Sequence, residues 1–113
     1  MSKAEWLFTL ADVEAKLPPA AAPMRYAVAT GRGTMSLGLY APRGPDMQTP
    51  HDQDELYIVV SGAGRFTKAG ESRPFAVNDA IFVEAGVEHR FEDLSDDFAA
   101  WVIFWGPKGG EAS

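Results

Sequence analysis

The chain has 113 residues, 46% of them hydrophobic and 12% aromatic, which is enough apolar material for one folded domain. Its formal net charge of −6 and its lack of a basic stripe argue against nucleic acid as a partner. It has no cysteine for a disulfide or a thiolate metal site, and no apolar run of the roughly 18–20 residues that cross a membrane. Residues 1–5 lack the layout of a signal peptide, so we expect a cytoplasmic protein.

The N-terminal region predicts one short helix in an arm over residues 1–22. Thr9 can cap a helix over Leu10–Leu17, and the two prolines that begin at Pro18 end it. The leucines of this segment and Val13 fall on one face, so the helix has a narrow apolar stripe that can dock on another element.

Strand-like segments follow the arm at intervals of about 8–12 residues, separated by turns rich in Gly, Pro and Asp, which is typical of an all-β sandwich or barrel. The predicted strands are Met24–Thr30, Thr34–Ala41, Glu55–Val60, Gly64–Lys68, Arg73–Val77, Ala80–Val83, His89–Glu92 and Phe98–Trp105. The barrel is therefore expected over residues 23–105, with a flexible tail over residues 106–113.

Two of these strands are apolar on both faces, namely Leu56–Val60 and Phe98–Trp105. An antiparallel strand with one face in water normally alternates apolar with polar residues, so a second layer must cover part of the sheet. The helix can supply some of that cover. We expect a homodimer to supply the rest, with the last strand or its neighbours at the contact.

Both histidines lie at the ends of strand-like runs, and a carboxylate accompanies one of them. Side chains alternate along a strand, so His51, Gln53 and Glu55 are expected to share one face. If that strand pairs with the one bearing His89, two imidazoles and a carboxylate converge. Such a set suits a divalent transition metal with open positions for substrate. The alternative for each histidine is a core position satisfied by hydrogen bonds.

Other residues are candidates for substrate contact. Tyr57 and Phe91 lie one strand repeat beyond Glu55 and His89 and are expected to line the cavity, although core packing is the more ordinary role. Gln53 can hydrogen-bond a bound ligand or orient a metal-binding side chain. Arg25, in the first predicted strand, can clamp an anionic substrate. The acidic neighbours of Gln53 are expected to be solvated turn residues.

The motifs around these residues resemble those of the cupin superfamily. In the first motif, a second His is followed by Glu and then by Gly, which fits His51, Glu55 and Gly62 in spacing. In the second motif, Gly and His fit Gly86 and His89. The resemblance covers about residues 34–105, and the chain is similar to the small single-domain bacterial cupins. It implies a double-stranded β-helix, the jelly-roll cupin barrel, behind the short helix.

The sequence departs from the family pattern at two places that bear on function. Thr49 stands where the first His of the motif is usual, and Glu84 stands where Pro is usual. Because a hydroxyl is a poor ligand, His51, Glu55 and His89 are expected to hold the ion with water.

The resemblance implies a metal-dependent oxygenase or isomerase that uses Fe, Mn, Ni or Zn and acts on a small polar organic molecule. The alternative from another class is a non-catalytic ligand-binding module with a degenerate metal site. A purely structural dimer is the third interpretation.

Overall fold

Eight β-strands and one short helix make up residues 6–112, the part of the chain that a computed structural model describes. Residues 1–5 of the predicted arm and residue 113 of the predicted tail lie outside it. The elements are α1 (Leu10–Glu14), β1 (Tyr26–Arg32), β2 (Met35–Tyr40), β3 (Asp54–Ser61), β4 (Gly64–Lys68), β5 (Glu71–Phe75), β6 (Ala80–Val83), β7 (His89–Glu92) and β8 (Ala99–Trp105). All the predicted strands are present with their ends shifted by a few residues, and the all-β jelly-roll prediction is confirmed.

The strands form two antiparallel sheets that face each other. The larger sheet has the order β1-β2-β8-β3-β6, and the smaller has the order β5-β4-β7. Strand β3 pairs with β8 and β6, whereas β7 pairs with β4 on the opposite sheet. The strand after His51 and the strand that begins at His89 are therefore not neighbours, so their pairing is not what brings the two histidines together.

Alternation along β3 and β7 sends their functional side chains into the barrel. On β3, Glu55, Tyr57 and Val59 are buried, and on β7, His89 and Phe91 are buried. The interior they enter is aromatic and apolar, with a core of Tyr40, Tyr57, Val59, Phe66, Phe75, Val83, Phe91, Phe98, Ala100 and Val102. Polar groups at one end of this interior are consequently shielded from water.

The N-terminal helix is shorter than predicted. Thr9 caps it as expected by accepting a hydrogen bond from the Asp12 amide, but the helix ends at Glu14 rather than Leu17. It covers the outer face of the larger sheet, where Val13 joins a second buried cluster that includes Leu39. With five residues, this helix, which is the one helix within residues 6–112, is too short to cross a membrane.

The outer face of the larger sheet is covered only in part. Trp101 packs against the helix cluster, whereas Val28 and Phe82 remain exposed. The helix thus supplies the expected cover over one portion of the sheet. The homodimer stays a prediction.

The C-terminal segment is hydrogen-bonded to the start of β3. The Gly109 amide donates to the Asp52 carbonyl at 2.7 Å, and the Glu111 amide donates to Asp54 Oδ2 at 2.9 Å. The glycine-rich composition from which a flexible tail was predicted does not reveal these contacts.

A glycine is required where β3 turns into β4. Gly62 has φ of +80°, and a Cβ on it would lie 2.7 Å from the Cα of Phe98. This turn lets the chain cross from the larger sheet to the smaller one without displacing Phe98.

Candidate metal centre

Three ligand-type side chains converge at one end of the barrel interior. Glu55 Oε1 lies 2.9 Å from His89 Nε2 and 3.9 Å from His51 Nε2. One potential ligand atom from each residue lies within 4.8 Å of those of the other two. Glu55 enters from the larger sheet and His89 from the smaller one, so the set assembles across the barrel rather than along paired strands.

His51 reaches this point from the loop that precedes β3, not from a strand. Its carbonyl accepts a hydrogen bond from the Gly86 amide at 2.7 Å, which ties its loop to the turn before His89. Its ring meets Phe104 edge-on at a centroid distance of 5.1 Å. The loop is thus fixed from two sides, and the imidazole is held facing Glu55.

The tautomer of His89 leaves Nε2 free to act as a ligand. Nδ1 lies 2.9 Å from the Val87 carbonyl, which can only accept a hydrogen bond, so Nδ1 carries a proton. Burial by itself lowers the pKa of His89, but the Glu55 carboxylate and the Val87 carbonyl outweigh it and raise that pKa above its ordinary value. The raised pKa favours a proton on Nε2, which lies 2.9 Å from Glu55 Oε1.

The environment of Glu55 fits a cation. The side chain is 1% exposed, and Oε2 accepts no hydrogen bond from residues 6–112. A buried carboxylate oxygen without a donor is costly unless an ion or water completes it. Two imidazole nitrogens and one carboxylate also form a donor set typical of divalent iron, manganese, nickel or zinc. The residues present fit such an ion.

A loop residue that the sequence analysis missed also lies at this point. Gln48 Oε1 is 3.1 Å from His51 Nε2 and accepts a hydrogen bond of 3.1 Å from the Tyr57 hydroxyl. Its amide nitrogen donates to Asp46 Oδ2 at 2.7 Å. No residue spacing signals Gln48, because a loop has no fixed period.

The Tyr57 hydroxyl lies between the Gln48 side chain and the His89 ring. Its hydroxyl is 3.3 Å from His89 Nε2, and the side chain is 1% exposed. Burial, and then the negative charge of Glu55, raise the pKa of Tyr57 well above its ordinary value. The phenol therefore stays protonated and acts as a hydrogen-bond donor at the site.

A cavity of about 220 Å³ adjoins this set. Its walls are mostly apolar, with side chains contributed by the first strands, the loop and the last strand. They are Met24, Tyr26, Tyr40, Gln48, His51, Tyr57, Val102 and Phe104. The cavity has the size of a small organic molecule, and the part of its wall formed by residues 6–112 carries no Arg or Lys.

Gly38 on β2 provides the room in which Tyr26 reaches the cavity wall. A Cβ at position 38 would overlap the Tyr26 phenol. Burial, and then Glu55, raise the pKa of Tyr26, so it too stays protonated.

We expect Gly38→Ala to lower the free energy of unfolding by about 1–3 kcal/mol, because the phenol must leave its place over β2. Urea unfolding is the measurement. In a Tyr26→Ala background, the same substitution is expected to cost little, since the overlap is gone. Equal losses in the two backgrounds would show that the clash is not the cause.

Three of the predicted substrate-contact residues lie elsewhere. Gln53 donates to the carbonyls of Thr34 and Gly106, because β3 begins only at Asp54 and the assumed alternation does not extend back to position 53. Arg25 precedes β1, and its guanidinium donates to the Pro18 and Ala41 carbonyls.

Phe91 packs in the aromatic core against Tyr57 and Phe98 and does not line this cavity. Asp54, expected to be solvated, is buried and accepts hydrogen bonds from the Ala85 and Glu111 amides. These two amides hold the pKa of Asp54 below its ordinary value.

Comparison with known proteins agrees with this architecture. The sequence model of the Cupin domain matches residues 36–105. The chain belongs to the cupin family. It is 42% identical over 76 residues to an uncharacterized protein of Streptomyces coelicolor, a match that covers 66% of this chain and 72% of that protein. The crystal structure of a cupin-2 domain protein from Shewanella frigidimarina has a TM-score of 0.71 at 16% identity, covers 88% of this cupin and 95% of that chain, and shows the fold alone.

An enzyme appears among the relatives of this cupin. Acireductone dioxygenase of Parvibaculum lavamentivorans is 39% identical over 64 residues, which are 52% of this chain. The match covers 35% of the dioxygenase, so the chain spans about a third of that protein's length.

Proposed function

We propose that this cupin binds one divalent transition metal through His51, Glu55 and His89 and catalyses oxygen chemistry on a small uncharged molecule with a largely apolar body. Two observations carry the proposal together: one ligand atom of each residue lies within 4.8 Å of the others, and the buried Glu55 carboxylate has an oxygen, Oε2, without a hydrogen-bond donor within residues 6–112. The ion, when bound, supplies a Lewis-acid centre that, for iron, manganese or nickel, also supports reactions with O₂.

The cavity walls limit the substrate class. Apart from the ion itself, the wall offers an anionic substrate no cation within residues 6–112, since Arg25 is committed to the Pro18 and Ala41 carbonyls. A compact neutral molecule is favoured, with its apolar part against Val102 and Phe104 and a polar group facing Tyr57.

The same walls favour oxygen chemistry over isomerisation. Proton abstraction from carbon needs a base beside the substrate. Within the described lining, the basic groups are His51, which is assigned to the metal, and three tyrosines. Each of these tyrosines has a raised pKa and holds its proton. These phenols can orient a substrate or donate a hydrogen bond to a developing anion. The partial likeness to a dioxygenase supports the same choice.

The alternative is a ligand-binding barrel without a metal. The contact between Gln48 and His51 and that between Tyr57 and His89 favour it, because each gives an imidazole a partner when no ion is bound. In that case, the cavity would grip its ligand by packing and by its phenol hydroxyls.

Metal content distinguishes the two functions. For protein purified without a tag, elemental analysis is expected to find about one transition-metal atom per chain in the wild type and none in His51→Ala, which removes a ligand from a half-exposed loop position. The matched control is Asp52→Ala, since Asp52 is exposed beside His51 and is expected to leave metal content unchanged.

The outcome also selects the chemistry. Iron, manganese or nickel agrees with oxygen chemistry, whereas zinc points to a Lewis acid. If the wild type binds no metal even when Fe(II), Mn(II), Ni(II) and Zn(II) are supplied, the proposed enzyme function would be rejected and the metal-free binding module supported.

A further inference from the structure

The Gln48 side chain occupies a place that no family motif assigns to it. Its Oε1 is 3.1 Å from His51 Nε2 and 3.1 Å from the Tyr57 hydroxyl, which is itself 3.3 Å from His89 Nε2. The amide oxygen thus lies beside His51 Nε2, and the Tyr57 hydroxyl lies between it and His89 Nε2. Thr49, which occupies the motif position of the first His, is exposed.

The contact between the Gln48 amide nitrogen and Asp46 fixes which way the amide group of Gln48 points. The amide nitrogen is 2.7 Å from Asp46 Oδ2, and a carboxylate accepts but does not donate, so the nitrogen must face Asp46 and the oxygen must face His51. Asp46 is held by the Tyr40 hydroxyl at 2.6 Å and the Phe91 amide at 2.8 Å. Such a buried carboxylate behind the amide also draws positive charge to its nitrogen and makes its oxygen a better ligand.

We propose that Gln48 Oε1 is a fourth protein ligand and replaces, from the preceding residue, the histidine that Thr49 displaces. This assignment rests on the proposed metal site. Two ligands at right angles on an ion with bonds of about 2.1 Å lie roughly 3 Å apart. The separations of 3.1 Å between Gln48 and His51 and of 2.9 Å between Glu55 and His89 match two such adjacent pairs.

The fourth ligand also bears on metal choice. His51 Nε2 and Gln48 Oε1 already lie 3.1 Å apart, so both atoms can contact one ion without a rearrangement of the loop. An amide oxygen is a harder donor than the imidazole it replaces. The site is thereby shifted away from copper and zinc toward Mn(II) and Fe(II).

The test uses Mn(II) as the probe. Gln48→Leu removes the amide with little change in size, and Thr49→Val is the matched control at the adjacent position. Free Mn(II) measured by electron paramagnetic resonance gives the affinity, and water-proton relaxation of the loaded protein reports the number of waters on the ion. Gln48→Leu is expected to weaken Mn(II) binding about 10-fold or more.

The relaxation readout separates a ligand from a merely structural residue. A six-coordinate ion with four protein ligands keeps two waters, and one with three keeps three, so Gln48→Leu is expected to raise relaxivity about 1.5-fold. Thr49→Val is expected to change neither value. Gln48→Asn keeps the amide chemistry but shortens the side chain by one methylene, which withdraws the oxygen from the ion. It is therefore also expected to raise relaxivity, which keeps the test usable if the leucine variant does not fold.

Each contrary outcome identifies which statement fails. Wild-type affinity and relaxivity in Gln48→Leu would overturn the ligand assignment while the three-residue site stands. A rise in relaxivity in Thr49→Val instead would place the fourth ligand at the family position. No Mn(II) binding by the wild type, with none of Fe(II), Ni(II) or Zn(II) bound either, would reject the proposed metal site itself.

Discussion

The Glu55→Gln variant is expected to bind a divalent metal at least about 100-fold more weakly than the wild type, yet its metal-free form is expected to be as stable as the wild type or more so. Removing a residue that only hydrogen-bonds to a metal ligand already weakens metal binding about 10- to 100-fold. Glu55 is itself a proposed ligand and contributes the negative charge of the site, so its loss is expected to cost at least as much. Without a metal, the same charge is buried, and its Oε2 has no donor within residues 6–112. Glutamine keeps the shape and removes that charge.

The expected stabilities of the variant with and without a metal both follow from the contacts of Glu55. At pH 8, His89 can lose its proton once Glu55 is neutral, so the substitution does not leave a buried, unpaired cation. In the wild type, Mn(II) at 100 times its dissociation constant is expected to add about 2.7 kcal/mol to the free energy of unfolding, and the variant is expected to gain almost none at that concentration. The order of stabilities should therefore reverse between EDTA and metal.

Urea unfolding with EDTA and with Mn(II) measures both effects. Glu88→Gln is the control, because Glu88 is exposed next to His89 and its substitution should leave both curves at their wild-type positions. A large loss of stability of Glu55→Gln in EDTA would assign Glu55 a structural role through its ion pair with His89. An unchanged metal response would exclude Glu55 as a ligand.

The elements of the fold were predictable because their signals are local. Alternation and turn residues located all the strands, and the capping hydroxyl of Thr9 located the start of α1. The end of α1 was not predictable in the same way. Leu17 continues the apolar stripe in the sequence and does pack against the buried cluster around Val13, but it does so from beyond Glu14, after the helix has ended.

The identity of the three converging residues was predictable, but their route to the site was not. Motif spacing selected His51, Glu55 and His89, whose ligand atoms do lie together. A period of two tells which face a side chain occupies and says nothing of which strand lies opposite. The meeting of Glu55 with His89 depends on two sheets that face each other, and that is decided by the whole core.

Errors at the loop before β3 have one cause. The alternation argument needs a strand that already runs at His51, whereas β3 begins at Asp54. Gln53 consequently turns to the carbonyls of Thr34 and Gly106, and Asp54 is buried against amides from distant parts of the chain. Loop conformation is set by the donors and acceptors it meets, and these are unknown until the fold is complete.

Asp46→Ala is expected to lower the free energy of unfolding by about 3–5 kcal/mol, because it removes the acceptor of four hydrogen bonds at once, two of them buried. The Tyr40 hydroxyl, the Phe91 amide and the Gln48 side-chain amide all donate to this carboxylate at 2.6–2.8 Å. Each buried donor left without a partner costs about 1–3 kcal/mol, and the loop has some freedom to relax. A loss of that size corresponds to a fall in Tm on the order of 15–25 °C for a domain of this length.

Urea and thermal unfolding in EDTA keep this measurement independent of any metal. Asp46→Asn conserves volume but turns an NH₂ group toward another donor. Its free energy of unfolding is therefore expected to fall by at least about half as much as that of Asp46→Ala. Asp52→Ala, at an exposed position on the same loop, is the control and should remain near the wild type. If Asp46→Asn matched the wild type, an uncharged acceptor would suffice to hold Tyr40, Phe91 and Gln48. Loss in both Asp46 variants would show that the loop bearing Gln48 and His51 is fixed by a buried carboxylate that the family motif does not include.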